Sequence, residues 1–188
     1  MKKILTSLVT VSLLSSIAMA GDYYGGVDFG FGKGSSSIKS GILSQDDDFS
    51  ITIFGIHGGY NLDLNSKLEV SFKSLNFDFD DGGDTDGHQF GVDYIYVLDE
   101  VSKLKPYLGA GISVNSLDVK IANSDTIDGL GFKLRAGTYY ALSPQLDIGA
   151  ELNYTYVGWD DLKHKDTNEI IESSSNFYGL GLNVNYKF

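Results

Sequence analysis

The sequence predicts an all-β chain: an eight-stranded antiparallel up-and-down β-barrel that crosses a membrane with its strands. Three observations carry this. Segments between Val27 and Phe188 alternate apolar residues with polar or small ones at a period of two. The first 20 residues have the plan of an export signal. Beyond Tyr23 no continuous apolar run reaches the roughly 20 residues a spanning helix needs, so a membrane can be crossed only by strands.

The leader comes first. Lys2 and Lys3 form a positive start, Ile4 to Ile17 carries no charge, and Ala18-Met19-Ala20 is a small-x-small cleavage site before Gly21-Asp22. This predicts a cleaved signal peptide over 1–20 and one barrel domain over 21–188.

The strands follow in order. Val27, Phe29 and Phe31 alternate with Asp28, Gly30 and Gly32. Phe54, Ile56, Gly58 and Tyr60 form a weaker face opposite His57 and Gly59. Leu68, Val70 and Phe72 oppose Glu69, Ser71 and Lys73, and Phe90, Val92, Tyr94, Tyr96 and Leu98 oppose Gln89, Gly91 and Asp93. Leu108, Ala110, Ile112 and Val114 oppose Gly109, Gly111 and Ser113. Leu130, Phe132, Leu134, Ala136 and Tyr140 oppose Gly131, Lys133, Arg135, Gly137 and Tyr139. Leu146, Ile148, Leu152, Tyr154 and Tyr156 oppose Asp147, Gly149, Glu151, Asn153 and Thr155. The last strand is the clearest, with Tyr178, Leu180, Leu182, Val184, Tyr186 and Phe188 against Gly179, Gly181, Asn183, Asn185 and Lys187.

Two segments break parity. Phe49, Ile51 and Ile53 are out of phase with Phe54 and Ile56, and Leu75, Phe77 and Phe79 with Phe72. A β-bulge, or a strand end at each break, is expected. Connections alternate in length. Leu62–Ser66 and Leu142–Pro144 are short and Asp99–Lys105 intermediate, whereas 34–48, 80–87, 120–128 and 158–173 read as longer polar loops. Short turns on one side and long loops on the other suit an outer-membrane barrel.

Composition agrees. The chain has 23 Gly, 2 Pro, 12 Tyr and 11 Phe, a mix that suits strands and aromatic girdles better than helices. There is no Cys, so no disulfide frames the fold. Net charge is −11, and −13 without Lys2 and Lys3, which excludes nucleic acid as a partner because that requires a basic face.

The polar face consists mainly of Gly, Asn, Ser and Thr with a few charges of both signs. A water-facing surface would be dense in Lys and Glu, so this face is read as the lumen of a narrow barrel. Glu69, Asp93, Lys133, Arg135 and Glu151 are then expected to meet there as an ionic plug, with a charge-lined, gated pore as the other reading. Aromatics near strand ends predict two interfacial girdles: Tyr23, Tyr60, Tyr96, Tyr107, Tyr140, Tyr186 and Phe188 on the short-turn side, and Tyr154, Tyr156, Trp159, Phe177 and Tyr178 on the other.

Taken in order, the leader, Gly55-Ile56-His57-Gly58-Gly59-Tyr60, Pro106-Tyr107-Leu108-Gly109-Ala110-Gly111, Gly131 to Gly137 and the closing Tyr186-Lys187-Phe188 resemble the small eight-stranded outer-membrane barrels of the OmpA/OmpX-like superfamily. The resemblance implies a Gram-negative outer membrane, with its lipid and lipopolysaccharide as surroundings. It also implies a terminal signal, Tyr186 and Phe188, read by the barrel assembly machinery. No peptidoglycan-binding domain follows, so that role is not implied.

No catalysis and no cofactor are expected. The chain has three His, and none of His57, His88 and His164 sits in a Ser–His pattern like those of the acyltransferases and deacylases among such barrels. Asp46, Asp47 and Asp48, and Asp78, Asp80, Asp81, Asp84 and Asp86, are read as solvated acidic loops over a Ca²⁺ or Mg²⁺ site, since the second run lacks the EF-hand spacing. The expected role is structural or surface-interacting, with loops facing an extracellular ligand; a narrow porin passing ions or small solutes is the alternative.

Overall fold

The computed structural model describes residues 23–40, 43–80, 83–99, 102–121, 124–160, 162–163 and 170–188. Residues 1–20, expected to be a signal peptide, Asp81 and His164 lie outside them. Among the described residues nine strands follow one another: β1 (Tyr23–Ser40), β2 (Leu43–Asn61), β3 (Ser66–Phe79), β4 (Gly83–Val97), β5 (Leu104–Ile121), β6 (Ser124–Ala141), β7 (Leu146–Trp159), β8 (Leu162–Lys163) and β9 (Ile170–Lys187). Each of β1 to β7 pairs antiparallel with its neighbour, and β9 pairs with both β7 and β1, closing the sheet. The two-residue β8 only extends the edge of β9, so eight strands build the wall. Closure removes the unpaired edges that lipid cannot satisfy.

Alternation sorts the residues. Phe29, Phe54, Phe72, Phe90, Ile112, Phe132, Leu152 and Leu182 point out and are exposed, while Asp28, His57, Glu69, Asp93, Lys133, Arg135, Glu151 and Asn183 point in and are buried. An apolar outside over a polar inside is the inverse of a soluble barrel and fits a hydrocarbon solvent.

Neither parity break is a bulge or a strand end. The β2–β3 ladder runs without a register shift from Phe49↔Phe79 to Asn61↔Lys67. Phe49, Ile51, Ile53, Leu75 and Phe77 keep the inward parity of His57 and Glu69, and it is the lumen that changes from polar to apolar. At the same height the outward positions turn polar, as Ser50, Thr52, Ser74 and Asn76 show. Below that height the wall faces lipid, above it water, and the apolar face follows. A register shift does occur in the β5–β6 pair, between Asp118 and Ile121.

The long polar connections are likewise mostly strand. Pairing continues to Ser40↔Leu43, Phe79↔Gly83 and Ile121↔Ser124, so segments read as loops are hairpins standing above the apolar belt. Their polar composition is that of strand faces in water, and the interior apolar cluster holds them together.

At one point of the closing seam β1 and β9 leave no room for a side chain. Gly32 pairs with Gly179, and a Cβ on Gly32 would overlap the Tyr178 carbonyl oxygen and the Gly179 Cα. Gly32→Ala is expected to lower the unfolding free energy by about 2 kcal/mol, read from urea titration of the refolded barrel. Gly58→Ala, where the nearest atom is 3.8 Å away, is the control with little loss.

The β2–β3 turn rests on Asp63, whose Oδ1 accepts from the amides of Asn65 (2.8 Å) and Ser66 (2.7 Å). Those amide bonds hold its carboxyl below the ordinary carboxylate range. Because the folded value is the lower one, the contribution is full above the ordinary range and fades as pH falls through the folded value. Asp63→Asn is expected to remove that acid-side dependence, measured as exchange protection of the Asn65 and Ser66 amides.

Candidate functional site

The lumen gathers charged side chains and is filled in two layers, one ionic and one apolar. Arg135 organises the ionic one. Its Nε donates to Glu151 Oε2 at 2.9 Å, Nη2 lies 2.7 Å from the same oxygen, Nη1 donates to Glu69 Oε1 at 2.5 Å and stands 3.5 Å from Asp93 Oδ2. Lys133 Nζ donates to Asp93 Oδ2 at 2.7 Å. Sequence parity places these five residues on β3, β4, β6 and β7, and the barrel's curvature turns them toward one centre. The planar guanidinium suits this, because its fixed fork serves several carboxylates at once.

Sequence reasoning left out other members of this layer. Tyr24 donates to Glu69 Oε2 at 3.0 Å and Tyr107 to Glu151 Oε2 at 2.7 Å. Lys73 lies 3.8 Å from Asp28, which also meets His57. Their parity was the available signal, since each shares the polar face of its strand. Tyr107 was expected in a girdle and instead points inward, stacked on Tyr139 at 4.4 Å. Its hydroxyl needs the buried carboxylate, and its odd position on β5 matches Gly109 and Ser113. Lys67 Nζ sits 4.8 Å from the Tyr24 ring and 4.6 Å from the Tyr139 ring, capping the short-turn end of the lumen.

The second layer is apolar. Phe49, Phe77 and Phe177 pack edge-on with centroids 5.2 to 6.4 Å apart, joined by Ile51, Ile53, Leu75 and Val157. Phe177 therefore leaves the expected girdle, and so does Trp159, which packs on this cluster and donates to Ser175 at 2.8 Å. The outward rings that remain form two rims: Tyr23, Tyr60, Tyr96, Tyr140, Tyr186 and Phe188 below, and Tyr154, Tyr156 and Tyr178 above. The chain end is tied to the first strand, with the Phe188 amide donating to the Tyr23 carbonyl at 3.1 Å.

His57 is buried with Asp28 at Nδ1 and Asn185 at Nε2, so neither ring nitrogen faces a serine. His88 is outward and stacks on Phe72. The described acidic positions of these runs stand on hairpin flanks, Asp78 across from Asp84.

Among the described residues four buried polar atoms, Ser71 Oγ, Asp93 Oδ1, Asp147 Oδ1 and Asn183 Nδ2, have no hydrogen-bond partner. They are points where buried water can bind.

The model of the family described as outer membrane protein beta-barrel domain matches residues 6–188. Comparison with curated protein sequences gives no significant match. Among solved structures the chain is similar to Neisserial surface protein A, at 24% identity over 88% of this chain and 97% of that one, with a TM-score of 0.56. It is also similar to OprG from Pseudomonas aeruginosa, at 17% identity over 90% and 96%, TM-score 0.59. The N-terminal barrel domain of OprF from the same organism matches at 19% identity over 90% and 100%, TM-score 0.55.

Proposed function

Since the chain belongs to the outer membrane protein beta-barrel domain family and resides in the bacterial outer membrane, we propose that it acts as a closed structural barrel that presents its hairpins to the outside, without catalysis. The observation that carries this reading is the filled lumen. The ionic layer of Arg135, Glu69, Asp93, Glu151 and Lys133 is followed by the apolar layer of Phe49, Phe77 and Phe177, and ions crossing one would meet the other. What varies freely in such a design is the set of hairpins above the belt.

In this reading residues 1–20 are removed on export, 21–188 form the barrel, and Tyr186 and Phe188 are read by the assembly machinery. Outer-membrane lipid and lipopolysaccharide surround the belt. Support for the terminal signal is the edge-on packing of Phe188 on Tyr186, 5.4 Å apart on the lipid-facing rim.

The test compares a deletion strain with strains carrying the full chain or a barrel whose hairpin tips are shortened. The full chain is expected to restore both detergent resistance and surface attachment, the shortened barrel only the first. A deletion strain indistinguishable from its parent in both assays contradicts the reading. Narrow-porin activity is the alternative, favoured only by the four unpartnered polar atoms.

A further inference from the structure

One inward side chain joins the three strands that meet where the barrel closes. His57 stands on β2, Asp28 on β1 and Asn185 on β9. His57 Nδ1 is 3.0 Å from Asp28 Oδ2, and Nε2 meets Asn185 Oδ1 at 2.5 Å. Gly26 makes the reach possible. It lies opposite His57 in one ladder and Asn185 in the other, and a Cβ there would fall on the imidazole.

Both partners offer lone pairs. A carboxylate only accepts. Asn185 Nδ2 donates to Asn183 Oδ1 at 2.8 Å, which turns Oδ1 toward the ring. A neutral imidazole has one N–H, whereas two acceptors ask for two. Charge balance points the same way. His57 Nδ1 stands 3.0 Å from Asp28 Oδ2 while Lys73 Nζ is farther off at 3.8 Å, and a buried carboxylate without a close cation is costly. The groups facing His57 are Asp28 and Tyr24 on β1, Glu69 and Lys73 on β3, Asn185 on β9 and, through Glu69, Arg135 on β6.

We propose that His57 is a standing cation of the lumen, protonated on both ring nitrogens at neutral pH, and that it clasps β2 to β9 across β1 at the closing seam. This does not depend on the surface role proposed above.

The test is nitrogen NMR of histidine-labelled protein refolded in micelles, in a His88→Gln, His164→Gln background that leaves His57 as the one imidazole. Two protonated ring nitrogens at neutral pH are expected. One unprotonated nitrogen, with Nε2 accepting from an Asn185 amide turned around, overturns the proposal. The clasp is read from amide exchange in His57→Gln. Exchange at Val27 and Val184 on the seam is expected to rise at least about tenfold, with Val70 and Val92 on the β3–β4 ladder unchanged. Equal exchange at both pairs overturns it. If His57→Gln does not refold, the nitrogen measurement on the histidine-bearing chain decides alone.

Discussion

Arg135→Ala is expected to lower the unfolding free energy of the barrel by about 3–5 kcal/mol, read from urea titration of protein refolded in vesicles. The size follows from what is left behind. Arg135 is shared by Glu69, Glu151 and Asp93, all buried, and its removal leaves the first two without their guanidinium and Asp93 with Lys133 alone. Breaking a buried pair is costly because the remaining charge is stranded, whereas replacing the whole set with neutral groups costs far less. Arg135→Met combined with Glu69→Gln and Glu151→Gln should therefore recover much of the loss. Arg135→Lys should fall between, since one ammonium cannot span the carboxylates as a planar fork does. A loss under about 1 kcal/mol in Arg135→Ala, the size of an exposed pair, would mean that water reaches the layer freely.

Phe77→Ala should cost a similar amount, about 3–5 kcal/mol, for a different reason. Phe77 touches Phe49, Phe79 and Phe177 in the apolar layer, and truncation opens a cavity that the rigid wall cannot collapse around. Phe72→Ala on the same strand is the contrast. Phe72 is half exposed on the outer face, where lipid refills the space, and its loss should be well under half as large. Equal losses at both positions would contradict the inversion of the barrel above the belt.

That inversion also explains how much could be read from sequence. Leu180, Leu182 and Val184 against Gly181 and Asn183 gave both the strand and its faces, because one solvent acts along that stretch of β9. Phe49 to Ile53 and Leu75 to Phe79 looked like broken parity because the solvent changes partway along β2 and β3 while the register does not. Alternation reports a change of face and a change of surroundings in the same way. Tyr107 and Phe177 were misplaced because proximity to a strand end outweighed their parity. The charged residues of the lumen were visible one by one, but their partners were not. His57 finds Asp28 29 residues away and Asn185 128 residues away, and only closure of the barrel brings β9 beside β1.

The central claim is that the lumen is closed at two levels. It is tested most directly by single-channel recording of the refolded mature chain in a planar bilayer, with insertion confirmed by protease protection. The expected result is silence from the unaltered chain, and also from Arg135→Ala, whose apolar layer stays in place. Reproducible unitary steps from the unaltered chain, rising in Arg135→Ala, would show a pore gated by the lumen charges and contradict the account.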